Sequence, residues 1–156
     1  MMFARLGLPL SDASPNVPAL TLAAHLMGGG GNSRLWKRIR EKEGLSYGVG
    51  AGIGWSEDNP QSIWHLYAIF APQNRAKVED ALRDETAHML SDGFTEAEVK
   101  SGIQALLNQR RMAFDQRMDE AIAGLDAETV NAALRKYFKL DEFVMVFAGD
   151  FNQLAP

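Results

Sequence analysis

The chain has 156 residues, 46% hydrophobic and 23% charged, with a net charge of −4. That is the size and make-up of one soluble globular domain, able to bury about two-thirds of the surface its unfolded chain exposes. A mildly acidic chain lacks the positive field that nucleic-acid binders use to capture phosphates. The absence of cysteine excludes a disulfide scaffold, a Cys-type zinc site and a thiol nucleophile. No apolar run approaches the ~18 residues of a membrane span, and the first residues carry no apolar core of signal-peptide length. The chain reads as soluble, cytoplasmic or periplasmic, with the compartment undecided.

In chain order, Phe3 to Leu10 reads as a short strand, stopped by Pro9. Residues 11–16 form a turn by composition. Pro18 suits the first turn of a helix, where its missing N–H costs nothing. Leu20, Ala23, Ala24 and Met27 give that helix an apolar face, and Gly28 to Gly31 end it. Asn32 or Ser33 is placed to cap a second helix. This one is basic, with Arg34, Lys37, Arg38, Arg40 and Lys42, and Leu35, Trp36 and Ile39 supply its buried side. Gly44 stops it.

Tyr47 to Trp55 reads as a strand with glycine at 48, 50, 52 and 54, so one face has no side chains. Those glycines fit either a close approach by a neighbour or a merely compact sheet. Ser62 to Phe70 is apolar on both faces and suits a central strand. Asn74 is placed to cap a helix running to about Ser91, stopped by Gly93. Thr95 with Glu98 is a capping box. A long helix follows with Val99, Ile103, Leu106 and Leu107. A last helix is capped near Asp126, and Phe143 to Ala148 closes the chain as a strand. The order predicts an α+β fold, with an antiparallel or mixed sheet and helices packed on one face.

The chemistry-bearing residues are few. His25, His65 and His88 are the only imidazoles, and no two have the i, i+4 spacing of a helical zinc site. Glu85 and His88 form Glu-x-x-His, half of a di-metal pattern whose other half is absent. Gly44-Leu45-Ser46-Tyr47-Gly48 matches G-x-S-x-G, but a helix precedes it and a strand follows, the reverse of a nucleophile elbow. Ser46 is read as serving the turn. The run Gly28–Gly31 before Asn32-Ser33 could cradle an anion, yet it lacks the Lys of a P-loop and reads as a helix-to-helix connection. Arg40 on a last helical turn and Tyr47 just beyond the stop are both donors, so they could converge on a carbonyl and its developing oxyanion.

The run from Leu26 to Tyr47, with Gly28-Gly29-Gly30-Gly31-Asn32-Ser33-Arg34-Leu35 leading to Arg40-Glu41-Lys42-Glu43-Gly44-Leu45-Ser46-Tyr47, resembles the C-terminal half of pitrilysin/insulinase-type zinc peptidases, relatives of mitochondrial processing peptidase. Asp92 to Val99 and the ending Val144 to Asp150 resemble the same domain. The resemblance implies two homologous α+β halves around a chamber. The zinc site, an inverted H-x-x-E-H, belongs to the other half, and hydrolysis would be by zinc-bound water. The half seen here binds no metal or cofactor of its own. It would lend Arg40 and Tyr47, seven residues apart, to the scissile peptide: Arg40 to orient the carbonyl, Tyr47 to stabilise the oxyanion.

Residues 1–156 are therefore read as a single domain, the C-terminal-type half of a two-domain metallopeptidase and a fragment of a longer polypeptide. The family places a further helical segment of roughly 20–30 residues between the long helix and the last one. Here Phe114-Asp115-Gln116 runs almost directly into Arg117–Glu120. The implied partners are a zinc-bearing N-terminal half, in the same polypeptide or a separate subunit, and a peptide substrate. Alone, the chain should be inactive and could form homodimers through the face meant for its partner. An inert structural subunit of the same fold is the alternative.

Overall fold

Alternation of apolar residues along β1 (Met2–Leu8) puts Met2, Ala4, Leu6 and Leu8 on one face of a sheet and Phe3, Arg5 and Gly7 on the other. The computed structural model describes residues 1–110 and 116–150. β1 lies between β3 (Ser62–Phe70) and β4 (Val144–Phe147), and β2 (Ser46–Gly54) pairs with the far side of β3. All three pairings are antiparallel, so the sheet order is β2-β3-β1-β4.

Five α-helices complete the described fold: α1 (Val17–Gly28), α2 (Arg75–Ser91), α3 (Glu96–Arg110), α4 (Gln116–Ala123) and α5 (Ala127–Tyr137). Their apolar stripes join the inner face of the sheet in one core. Trp64 of β3 is fully buried there, with Phe138 edge-on at 4.8 Å between ring centroids. The expected α1 face of Leu20, Ala23, Ala24 and Met27 is buried throughout. At its end, α1 rests directly on β2: a Cβ at Gly28 would collide with the backbone nitrogen of Ala51. The predicted junction at Phe114–Asp115 lies outside the described residues, and α4 begins at Gln116.

The basic second helix forms, but as a π-helical segment, Trp36–Lys42, rather than an α-helix. Neither predicted N-cap acts as one. The Ser33 hydroxyl donates to the Gly30 carbonyl at 2.5 Å instead, closing the glycine-rich turn on itself. Asn74 likewise makes no cap bond to α2. Its amide is drawn to a backbone carbonyl 29 residues earlier in the chain. Two other predicted caps do form. Asp126 accepts from the Thr129 N–H at 2.8 Å, and the Thr95–Glu98 box closes in both directions.

β3, apolar on both faces in sequence, is covered on only one. Ile63, Tyr67 and Ile69 stay exposed on the outer face, beside Phe3 of β1 and Val144 and Val146 of β4. The glycine stripe of β2 opens onto this outer face, and side chains of β3 lie down across it. A Cβ on Gly50 would stand 2.6 Å from the Tyr67 ring, and one on Gly52 would stand 2.9 Å from the His65 imidazole. His65 also stacks on Phe3, 5.7 Å between centroids.

Candidate functional site

Arg40 and Tyr47 sit on either side of one tight connection, from the π-helical segment into β2. A π turn closes i→i+5 bonds and so brings residues five apart onto one face. Two such side-chain pairs form. Trp36 donates its indole N–H to Glu41 Oε1 at 3.2 Å, and Arg38 Nε donates to Glu43 Oε1 at 3.0 Å. The backbone follows the same wide spacing where the Glu43 N–H reaches the Arg38 carbonyl at 3.0 Å. Gly44 then takes a left-handed conformation, φ 61°, which a side chain would disfavour. The Leu45 N–H closes the turn on the Ile39 carbonyl at 2.9 Å.

The basic residues of this stretch are employed very differently. Arg34 forms a two-pronged pair with Glu98 at 2.7 and 2.9 Å, donates to the Gly93 carbonyl at 2.7 Å, and lies over the Phe94 ring. Burial alone would raise the Glu98 carboxyl, but Arg34 and the Thr95 N–H hold it down at about 2. Arg38 loses hydration on burial, yet Asp84, Glu43 and Glu85 surround it and raise its pKa above the ordinary value. Arg40 is exposed and holds no carboxylate among the described residues. Its guanidinium lies 4.2 Å from the Trp36 ring centroid, a cation–π contact that leaves its donors free.

Tyr47 is 76% exposed although it is the second residue of β2. Ser46 pairs with Phe70 and Gly48 with Ile69, so Tyr47 is the extra residue of a β-bulge. Ser46 is engaged with backbone: its hydroxyl stands 2.6 Å from the Gly48 carbonyl and 2.8 Å from that of Ile69. The expected backbone role thus falls in the strand bulge and not in the preceding turn, and it is the opposite of a free nucleophile. Asn74 completes the frame by donating to the Leu45 carbonyl at 3.0 Å. Arg40 and Tyr47 thus share one solvent-facing junction, without a hydrogen bond or cation–π contact to each other among the described residues. Sequence reasoning missed Trp36 and Asn74 as parts of this frame. An aromatic four residues before Arg40 was the available signal for the first. The second had none, because its partner lies far away in the chain.

The imidazoles do not assemble into a metal centre. His25, whose pKa burial lowers, lies on α1, His65 on β3 and His88 on α2. Glu85 of the Glu-x-x-His pair is held by Arg38 at 3.1 Å. No group of three or more His, Asp or Glu converges among the described residues. Nor is any described helix long and apolar enough to cross a membrane. The described residues do not fit zinc.

Comparison with known proteins bears on the family and the fold. The family model described as "Peptidase M16 inactive domain" matches residues 1–106. An uncharacterized zinc protease of Mycobacterium leprae is 34% identical over 82 residues, and one of Streptomyces coelicolor is 32% identical over 83. The matched part of the chain spans only 18% and 17% of those relatives. Among solved structures, a peptidase M16 inactive domain from Pseudomonas fluorescens superposes with a TM-score of 0.79 at 21% identity, covering 92% of this chain and 39% of that one. The inactive peptidase domain of a zinc protease from Bordetella parapertussis superposes at 0.69 and 14% identity, covering 93% of this chain and 90% of that one. At such identities the superpositions speak for the fold.

Proposed function

The chain belongs to the peptidase M16 inactive-domain family, and from that membership we propose that it is the non-zinc half of a zinc metalloendopeptidase. It completes a peptide-binding chamber with a zinc-bearing half, in the same polypeptide or as a separate subunit. Residues 1–156 form one domain of that enzyme, the C-terminal-type half. Zinc and the activated water belong to the partner. This chain's own part is to hold the peptide: Arg40 donates to the carbonyl at the cleavage site, and the Tyr47 phenol donates to the oxygen as negative charge develops on it.

The observation that carries the reading is the contrast among the three arginines. Arg34 and Arg38 are consumed by carboxylates, whereas Arg40 keeps its donors free and Tyr47 is turned out to solvent. The uncovered apolar face of the sheet supports it as well, since an exposed patch of this kind marks a surface that meets another body. In isolation the same face would drive self-association.

The test is a zinc-supplemented peptidase assay on a quenched peptide library, with the chain alone and then with an H-x-x-E-H-bearing half. The expected outcome is no cleavage alone and cleavage in the mixture. Arg40→Ala and Tyr47→Phe should each lower that activity at least about tenfold, the ~1.4 kcal/mol of a lost transition-state donor. An active mixture indifferent to both variants would make the chain an inert chamber wall. Cleavage by the chain alone would overturn the reading altogether.

A further inference from the structure

We propose that Ser46 is the positioning residue for Tyr47, its hydroxyl fixing the backbone at residues 47 and 48 inside the β-bulge and so the direction in which the phenol leaves the sheet. The proposal rests on the role given to Tyr47 above and adds a residue to which that role is owed.

A bulge leaves backbone groups of both strands without their ladder partners, and such groups need others. Ser46 supplies them. Its hydroxyl shares one hydrogen between the carbonyls of Gly48, at 2.6 Å, and Ile69, at 2.8 Å, and accepts from the Gly48 N–H at 3.2 Å. These are the groups flanking the extra residue on its own strand and opposite it. Ser46 as a residue is 8% exposed, so water does not readily replace its hydroxyl. Just upstream, Asn74 fixes the Leu45 carbonyl at 3.0 Å. The chain is thus tied at 45, 46 and 48, while Tyr47 between them keeps a free side chain.

The register explains why the bulge itself does not depend on Ser46. With the extra residue, Val49, Ala51 and Ile53 face the core and the glycines face outward, across from Tyr67 and His65. A one-residue slip would exchange the two faces and place Gly48, Gly50 and Gly52 beneath the helices. The core therefore selects the bulged register, and an alanine at 46 would still fold into it. What alanine would lose is the hold on residues 47 and 48, and so the fixed direction of the phenol. A donor aimed at a developing charge is effective only when its place is set beforehand.

Two measurements on the enzyme assembled with its zinc-bearing half decide the matter. The first is kinetic. Ser46→Ala should lower kcat about tenfold with KM nearly unchanged, and should add less than about twofold in a Tyr47→Phe background, since residues acting as a unit are not additive. A full-sized further loss in that background, or no loss in either, would overturn the proposal. The second is amide hydrogen exchange. Ser46→Ala should speed exchange at Tyr47 and Gly48 about tenfold and leave Val49 to Ile53 unaltered. Unaltered exchange at 47 and 48 would overturn the hold itself, whatever Tyr47 does. Full activity of Tyr47→Phe would instead overturn the role of Tyr47, and with it the catalytic part of this proposal. The exchange result would still decide whether Ser46 fixes residues 47 and 48.

Discussion

The two faces of the sheet are built from similar residues and put to opposite uses. On the inner face Met2, Ala4, Leu6, Leu8, Trp64, Leu66 and Ala68 are at most 1% exposed. On the outer face Phe3, Ile63, Tyr67, Ile69, Val144 and Val146 run from 38% to 57% exposed, just as apolar but bare. Hydrophobicity alone therefore does not locate the core. The helices choose which face they cover, and the other stays bare among the described residues. The glycines mark the same division. Gly28 brings α1 against the backbone of β2 on the covered side, while Gly50 and Gly52 let movable side chains settle on the bare side.

The largest effect should come from the covered face. Trp64→Ala removes a fully buried indole that carries the edge contact with Phe138. A loss of about 3–5 kcal/mol is expected in urea or thermal unfolding. Tyr67→Ala, three positions along the same strand and so facing outward, should cost under about 1 kcal/mol, because its ring is already partly in water. Equal losses would show that the outer face is structural too.

A pair of identical substitutions sharpens the contrast. Gly28→Ala drives a methyl into the Ala51 backbone, which cannot swing aside, and should cost about 1–3 kcal/mol. Gly50→Ala meets only the Tyr67 ring, the far end of a flexible side chain, and should cost under about 1 kcal/mol. Comparable melting shifts for the two would mean that the Tyr67 ring is held as firmly as backbone.

A smaller effect tests the ion pair that ties α3 to the glycine-rich turn region. Glu98 ordinarily titrates at 4.5 and is held at about 2 in the folded chain. A carboxyl with a depressed folded pKa contributes stability above its unfolded value, and that contribution is lost as pH falls from 4.5 towards 2. The Glu98 side chain is 33% exposed, so solvent screening reduces the contribution to about 1–2 kcal/mol. Glu98→Gln should flatten the acid limb of the stability curve by that amount across this window. An unchanged limb would assign it to other carboxylates.

Much of this was legible in the sequence. The α+β order, the strand positions, the apolar stripe of α1, and the caps at Thr95 and Asp126 all follow from local periodicity and local hydrogen-bonding chemistry. Arg40 and Tyr47 are singled out by resemblance alone; their exposure shows only that both side chains are accessible. The failures share a cause. Ser33 and Asn74 look like N-caps, but a carbonyl in the turn or across the fold outcompetes the helix terminus for them. The π-helical winding of Trp36–Lys42 has no distinct period over seven residues. Which side of an apolar strand is covered is likewise a decision made by helices remote in sequence.

The smallest effect on stability is also the most pointed, since it compares two arginines six residues apart. Arg34 holds Glu98 and the Gly93 carbonyl at once, so Arg34→Ala strips a half-buried carboxylate of its cation and the Gly93 carbonyl of this donor, and should lower the melting temperature measurably. Arg40 holds only the face of Trp36, in water. Arg40→Ala should therefore stay within about 0.5 kcal/mol of the parent in unfolding. If that variant is as stable as the parent and yet cripples cleavage with the zinc-bearing half, the free guanidinium is kept for the substrate. If it destabilises the chain as Arg34→Ala does, its place over Trp36 is a structural contact, and the distinction between bound and available cations along this segment fails.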